Sequence, residues 1–223
     1  MNAKALLLFT ALLVFTGVFT SYAQGVPVIK DVEVKVTFEP TCLAANGSST
    51  IKADSRWMLI TVTYLAETKG SSGKSSNPDW IDNLTLKFET LLPAIYQGKD
   101  VYSLMSGKVV LWAVPGDGER HKEVGFIPPQ VLKRYARPGM KFSSTEAKNI
   151  EARVSFYNKD QQLLGRAYAT RKGAEKEAAA RFSRAETELG VLKLEDVILS
   201  RDKTPWAVVD FDFYDLIKAE GSK

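Results

Sequence analysis

The sequence predicts a mainly β protein in which two antiparallel sheets pack face to face. Three observations support this fold class. Stretches of alternating apolar and polar residues recur along the chain, Gly, Pro, Asn and Ser separate them, and only two segments have a helical pattern. Of the 223 residues, 45% are apolar, 25% charged and 10% aromatic. This composition excludes a disordered, collagenous or coiled-coil protein.

The start of the chain has the features of an export signal. Residues 5–20 carry no charge, and Lys4 is the only charged residue among the first 29. Ser21-Tyr22-Ala23 then provides a small-x-small cleavage site. We therefore expect residues 1–23 to be a signal peptide and residues 24–223 to form a single domain in the periplasm, at the outer-membrane surface or outside the cell.

The next part of the chain contains three predicted strands. Residues 31–38 alternate strictly between polar and apolar types, as in a strand with one buried face. Residues 56–66 are apolar on both faces and rich in β-branched and aromatic types, which favours a central strand. A polar Gly/Ser-rich loop at 70–78 precedes a third strand at 84–88.

Further strands are predicted in pairs. Residues 101–105 and 108–114 lie on either side of Ser106-Gly107, and the Pro/Gly-rich residues 115–118 follow as a turn. Two more pairs are predicted nearer the end of the chain, a hairpin and a closing pair. Their strands are 150–156 with 163–170, and 192–199 with 206–216.

Two segments predict helices. Residues 128–135 begin with prolines, which suit a first helical turn. Residues 173–190 are rich in Ala, Glu and Arg and end at Gly190. The apolar stripe of this second helix is thin, so we expect it on the surface, connecting strands.

These elements together favour an immunoglobulin-like antiparallel β-sandwich with one short and one longer surface helix. The alternative is an α+β domain in which a helix at 174–189 packs across one open sheet, although the thin apolar stripe argues against it.

The residue inventory disfavours most enzyme chemistry. His121 is the only histidine and Cys42 the only cysteine, too few for a zinc site. We expect His121 to lie in a solvated loop, without a G-x-S-x-G nucleophile to serve. Residues 70–75 have the wrong spacing for a phosphate-binding loop. The sequence therefore predicts no enzyme activity and no cofactor or metal.

Charge and cysteine content limit the partners. The chain has 30 basic and 26 acidic residues, a net charge of +4, and the densest basic run is 133–137. Such scattered charge predicts no nucleic-acid groove. No second stretch of about 18 apolar residues follows the leader, so we expect no transmembrane segment in the mature chain, while peripheral membrane association stays open. Cys42 is either a buried small hydrophobe or a thiol for an intermolecular disulfide.

Four residues remain as weak candidates for a binding site: Trp80, Trp206, Asp210 and Asp212. Both tryptophans lie at strand entrances, where an aromatic ring either caps the core or stacks on a ligand. The two aspartates share one face of the predicted final strand, where they could bind Ca²⁺ or act as a carboxylate pair, or mark a solvated face. Trp57 and Trp112 lie inside apolar strands, and we expect them in the core.

The leader, the strand-rich body and the closing segment LSRDKTPWAVVDFDFYD at 199–215 resemble secreted immunoglobulin-like proteins encoded in type IV pilus gene clusters of mucin-degrading gut commensals. The resemblance implies a fold related to archaeal type IV pilus subunits and no enzymatic activity. After Gly17 the chain lacks the long apolar stem of a self-polymerising pilin. An accessory or surface-associated protein fits better.

Two functions follow as expectations. The first is a non-enzymatic module that binds pilus or outer-membrane proteins through a sheet edge or an apolar patch. The alternative is a carbohydrate-binding sandwich that takes mucin glycans on exposed aromatic side chains.

Overall fold

A computed structural model describes residues 26–42, 56–69, 80–170, 174–188, 191–209, 215 and 217–218. Its strands form two sheets, so the predicted β-sandwich is confirmed. The first sheet has three antiparallel strands in the order β1-β2-β5. They are β1 (Val26–Glu39), β2 (Trp57–Lys69) and β5 (Asp117–Ile127).

The second sheet has five strands in the order β7-β6-β3-β4-β8. All its neighbours are antiparallel except β8, which runs parallel to β4. The strands are β3 (Trp80–Tyr96), β4 (Lys99–Pro115), β6 (Glu151–Tyr157), β7 (Leu163–Ala169) and β8 (Leu192–Leu194). β3 and β4 have 17 residues each and form one long hairpin. Gln97 and Gly98 turn it with positive φ angles of 51° and 74°, as the favoured two-residue turn requires.

The core lies between the inner faces of the two sheets. On β2, the fully buried Met58, Ile60 and Val62 alternate with partly exposed residues. On β3, Leu86 and Phe88 face them. This period of two is the alternation expected of a strand with one face in the core.

Both open sides of the sandwich are covered. On one side β1 and β7, the outer strands of different sheets, lie next to each other without pairing. On the other side, a segment after β8 bridges the sheets. There the Val197 amide donates to the Ser106 carbonyl of β4 (3.0 Å), and the Leu199 amide donates to the Phe126 carbonyl of β5 (2.7 Å). The described strand edges are therefore largely protected, which limits edge-to-edge pairing.

Three α-helices of the described residues lie outside the sheets. They are α1 (Pro129–Tyr135), α2 (Ser144–Ala147) and α3 (Glu175–Thr187). α3 connects β7 to β8 on the surface, as expected, yet its Phe182 is fully buried against Leu91 and Leu104 on the outer face of the five-stranded sheet. A single aromatic anchor thus holds a helix whose apolar stripe is thin.

Charge reinforces this anchor. The buried Arg153 guanidinium lies 4.7 Å from the centre of the Phe182 ring and pairs with Glu89 and with Glu186 of α3. The two carboxylates compensate the charge of the buried guanidinium, because an unpaired buried charge would cost free energy of folding.

Several sequence predictions are wrong in detail. His121 was expected in a loop but lies on β5, and the two strands at 101–105 and 108–114 are one continuous strand, β4. The strand predicted at 192–199 ends at Leu194. Where the final strand 206–216 was predicted to start, Pro205–Val208 is a 3₁₀ helix, preceded by another at Arg201–Lys203. The physical cause is local, because the Thr204 hydroxyl accepts a hydrogen bond from the Trp206 amide (3.2 Å) and so starts a helical turn.

Candidate binding cleft at Trp80

A cleft of about 300 Å³ lies at the end of the sandwich where β3 begins. Its apolar lining comes from both sheets: Val26 and Pro27 from β1, Trp80 and Ile81 from β3, and Leu164 from β7. The Trp80 side chain is 49% exposed and Val26 is 65% exposed. Of the two candidates that lie among the described residues, Trp80 and Trp206, Trp80 is therefore the more accessible.

The strand register explains why these residues meet. Trp80 is the first residue of β3 and pairs with Pro115, the last residue of β4. Val26 is likewise the first residue of β1. Because β1 and β7 lie side by side where the two sheets meet, strand ends from different sheets converge at this corner.

The polar side of the cleft is the β6–β7 hairpin loop. Asn158 organises this loop, because its side-chain oxygen accepts hydrogen bonds from the amides of Asp160 (3.0 Å) and Gln162 (2.8 Å). Its side-chain nitrogen donates to the Gln162 side-chain oxygen (3.1 Å). Both polar groups of the Asn158 amide are therefore used within the loop. Asp82, Asp160 and Lys159 also line the cleft, so both signs of charge are present there.

Trp206, the second candidate, packs against other aromatic rings. Its ring centre lies 5.2 Å from that of Trp57, edge to face, and 5.1 Å from that of Phe126, stacked. Trp57 and Phe126 lie on the face of the three-stranded sheet away from the core. The Cys42 thiol donates to the Pro205 carbonyl (3.1 Å) and helps to hold the same segment. Trp206 therefore anchors the closing segment, and ligand stacking would require its displacement.

The other sequence candidates have different outcomes. Asp210 and Asp212 lie outside the described residues, as does the proposed signal peptide. Cys42 is half-buried, between the two alternatives that the sequence left open. Trp57 is half-buried on the outer side of its sheet, and Trp112 is 47% exposed, so their expected place in the core is wrong. Lys218 covers part of Trp112, with its ammonium 4.9 Å from the ring centre.

His121 is not a solvated loop residue. It lies on β5, opposite Tyr64 of β2, with only 10% of its side chain exposed. Its Nδ1 lies 3.1 Å from a carboxylate oxygen of Asp215, and its ring stacks on Tyr64 with centres 5.5 Å apart. Alternation failed to reveal β5 because its inward positions include His121 and Glu123, which look like surface residues in a sequence.

These buried groups have altered protonation. Burial alone would lower the pKa of His121, but the hydrogen bond and charge of Asp215, with the charge of Asp117, outweigh it and raise the pKa. Burial raises the pKa of Glu123 to about 7, against the opposing effects of the Val124 amide and the Arg201 charge. His121 and Glu123 point from β5 into the space between the sheets, where the His121 ring contacts Asp215 near the end of the chain.

The other clefts and side-chain groups of the described residues are weaker candidates for a binding site. A cleft of about 470 Å³ between β4 and residues 196–203 is lined by both lysines and aspartates, whose charges largely offset each other. Within the described part of the chain, no group of three or more His, Cys, Asp or Glu side chains could hold a metal ion. The helices described here are also too short or too polar to span a bilayer.

Comparison with known proteins supports the fold assignment. A crystal structure of a protein from Akkermansia muciniphila matches with a TM-score of 0.58 and 18% sequence identity, over 88% of this chain and 94% of that one. A search of curated proteins finds no match. A protein-family model matches residues 21–221. Because this match spans nearly the whole sequence, the chain belongs to that family.

Proposed function

We propose that this chain is an exported, non-enzymatic interaction module of the bacterial cell surface, associated with the type IV pilus apparatus or the outer membrane. The observation that carries the proposal is the Trp80 cleft, where half-exposed apolar side chains of both sheets converge. An accessible apolar cluster of this kind is typical of a protein-binding site. The export-signal pattern and the resemblance to proteins of pilus gene clusters supply the compartment and the partner class.

We also propose that the sandwich is immunoglobulin-like, and the strand order supports this. The first, second and fifth strands share one sheet, and the third, sixth and seventh share the other in the order β7-β6-β3. Immunoglobulin-like sandwiches place their strands in this way. Here β4 joins the sheet of β3 and extends it, followed by the short β8.

The occupant that fits the cleft best is an apolar segment of a partner protein. An added strand at β1 or β7 is disfavoured because these two edges shield each other, with the Ile29 side chain of β1 against Gly165 of β7. The cleft beside them remains accessible. Recognition then depends on apolar side chains of the partner that enter the Trp80 cleft, and Trp80 is their central contact.

The test is capture of pilus secretin or alignment proteins with tagged chain in the source bacterium after chemical crosslinking. Trp112→Ser is a matched control for Trp80→Ser, because the two side chains are 47% and 49% exposed. We expect Trp80→Ser to reduce capture at least tenfold, while Trp112→Ser captures like the wild type. Equal capture by all three proteins, or recovery of the chain only as a free monomer, would contradict the proposal.

The alternative function is glycan binding in the same cleft. An exposed tryptophan beside carboxylates is a common sugar platform, and Trp80, Asp82 and Asp160 supply these groups here. The commitment of the Asn158 amide to its own loop leaves fewer groups to bind sugar hydroxyls, which favours the protein partner. Saturable binding of mucin oligosaccharides in calorimetry, abolished by Trp80→Ser, would instead establish the alternative.

A further inference from the structure

The far end of the β3–β4 hairpin forms an apolar arm. β6 pairs with β3 only over residues 85–91, and β8 pairs with β4 only over residues 103–105. Beyond those positions toward the turn, no other strand of the described residues pairs with the hairpin. At its tip, Ile95, Tyr96 and Tyr102 are 46%, 48% and 49% exposed. Large apolar side chains grouped on a protruding turn indicate a contact surface.

The arm is held in place by the segment that follows α1. The Arg137 amide donates to the Pro93 carbonyl (2.7 Å), and the Ser103 hydroxyl donates to the Tyr135 carbonyl (3.1 Å). The Arg137 guanidinium also pairs with Asp100 (3.1 Å). The apolar tip is therefore presented in a defined orientation beside α1.

Positive charge concentrates next to this tip. Residues 129–149 contain five Lys or Arg and one Glu, a net +4 that equals the net charge of the whole chain. All five cations are exposed: Lys133, Arg134, Arg137, Lys141 and Lys148. Lys148 lines a cleft with Tyr102, where Arg181 also lies, paired with Glu151. Since the remainder of the chain sums to zero, the net charge of the protein is a local property of this end.

We propose that the tip and the 129–149 segment form a membrane-binding surface for lipids with anionic phosphate headgroups. Tyrosine side chains favour the membrane–water interface, and Ile95 can enter the outer edge of the acyl region. The cations next to them attract the phosphates of the lipid surface. The proposal is independent of the Trp80 cleft, which lies at the opposite end of the hairpin.

The test is co-sedimentation of the exported chain with lipid vesicles. Mass spectrometry of the sample first checks that the leader has been removed. We expect binding to phosphatidylcholine vesicles with about 30% phosphatidylglycerol and at least tenfold weaker binding to pure phosphatidylcholine, since each cation near an anionic surface is worth about fivefold. Ile95→Ser/Tyr96→Ser should weaken binding at least tenfold without changing charge. Lys133→Glu/Arg134→Glu should do the same.

Two controls separate this surface from general effects. Lys35→Glu/Lys108→Glu changes the net charge equally on exposed strand positions elsewhere, and Val208→Ser removes an apolar side chain that is 81% exposed. Both should bind like the wild type. Equal binding to both vesicle types, no binding to either, or unchanged binding of the tip variant would overturn the proposal. So would a concentration-dependent dimer, seen by light scattering, that Tyr96→Ser abolishes, because a second copy would then be the occupant.

Discussion

The two ends of the β3–β4 hairpin differ in what surrounds their exposed aromatic side chains. At one end, Trp80 lies in a cleft between strands of both sheets, beside side chains of both charges, Asp82, Asp160 and Lys159. At the other end, Tyr96 lies on a protruding arm beside a segment of net charge +4. Β-strand rise places the two ends of β3 roughly 50 Å apart.

The two ends therefore suit different kinds of ligand. A concave apolar cleft binds a protein segment or a sugar whose shape fits it. A convex apolar arm with cations beside it selects a charged, deformable surface such as a lipid headgroup layer. Under the two proposals, one hairpin carries a lipid-binding surface at one end and a protein-binding surface at the other.

The largest effect should come from the middle of the hairpin, on which both ends depend. Phe88 is fully buried between the sheets, so Phe88→Ala should lower the free energy of unfolding by about 3–5 kcal/mol. Urea denaturation measures this loss, and both binding activities should fall together. The exposed Val208→Ala is the control. A change below about 1 kcal/mol for Phe88→Ala would show that the hairpin is not built around this side chain.

The next effect is a pH dependence at the sandwich edge, away from both ends. Glu123 and His121 both have raised pKa values in the fold, so the folded state binds more protons than the unfolded state. Their contribution to stability is full below the unfolded pKa values and is lost as pH rises through the folded ones. For Glu123, whose folded pKa is about 7, the loss is about 2.5 kcal/mol between pH 5 and 8.

Urea denaturation across this pH range measures the loss, and Glu123→Gln should remove most of it because the amide does not titrate. Stability that rises with pH, or a slope that Glu123→Gln leaves intact, would contradict the assigned protonation.

A smaller effect distinguishes the two ends by their response to salt. Raising salt from 50 to 300 mM screens exposed charges, so binding of the hairpin tip to anionic vesicles should weaken about tenfold. Capture through the Trp80 cleft should change less than about twofold, because burial of apolar surface carries it. Similar salt dependence at both ends, measured by co-sedimentation and by capture, would remove the contrast between them.

The smallest effect is on stability at the cleft itself. Trp80 is half-exposed at the start of its strand, so Trp80→Ser should lower the free energy of unfolding by less than about 1 kcal/mol. Thermal unfolding measures this. Trp206→Ser is the contrast, because that ring packs on Trp57 and Phe126 and its loss should cost clearly more. If the two substitutions cost the same, Trp80 is a packing residue and the cleft loses its central contact.

Sequence periodicity predicted the strands whose inner faces are apolar and missed the one whose inner face is not. Residues 31–38 alternate strictly between polar and apolar types, and they lie in β1. β5 places His121 and Glu123 inward, where Asp215 and Arg201 compensate their polarity. Such compensation depends on residues about 80–95 positions away in the sequence, which a local pattern does not contain.

The candidate site was predictable only in part, for a related reason. Trp80 could be recognised as a loop-adjacent aromatic, but its accessibility depends on where β1 and β7 meet. Trp112 looked like a core residue because it lies in a run of apolar residues at 109–114. Its ring instead faces outward beneath Lys218. The hairpin tip was missed because its apolar and basic parts lie about 40 residues apart in the sequence and meet only in the fold, through contacts of Tyr135 and Arg137.

Oxidative footprinting of intact cells tests the central claim most directly. Trp80 and Trp112 are nearly equally exposed in the isolated chain, at 49% and 47%, so their oxidation rates can be compared within one sample. If the Trp80 cleft holds a partner at the cell surface, Trp80 will be oxidised several times more slowly in cells than in the purified protein, while Trp112 keeps its rate. Equal oxidation of Trp80 in cells and in the purified protein would contradict the account.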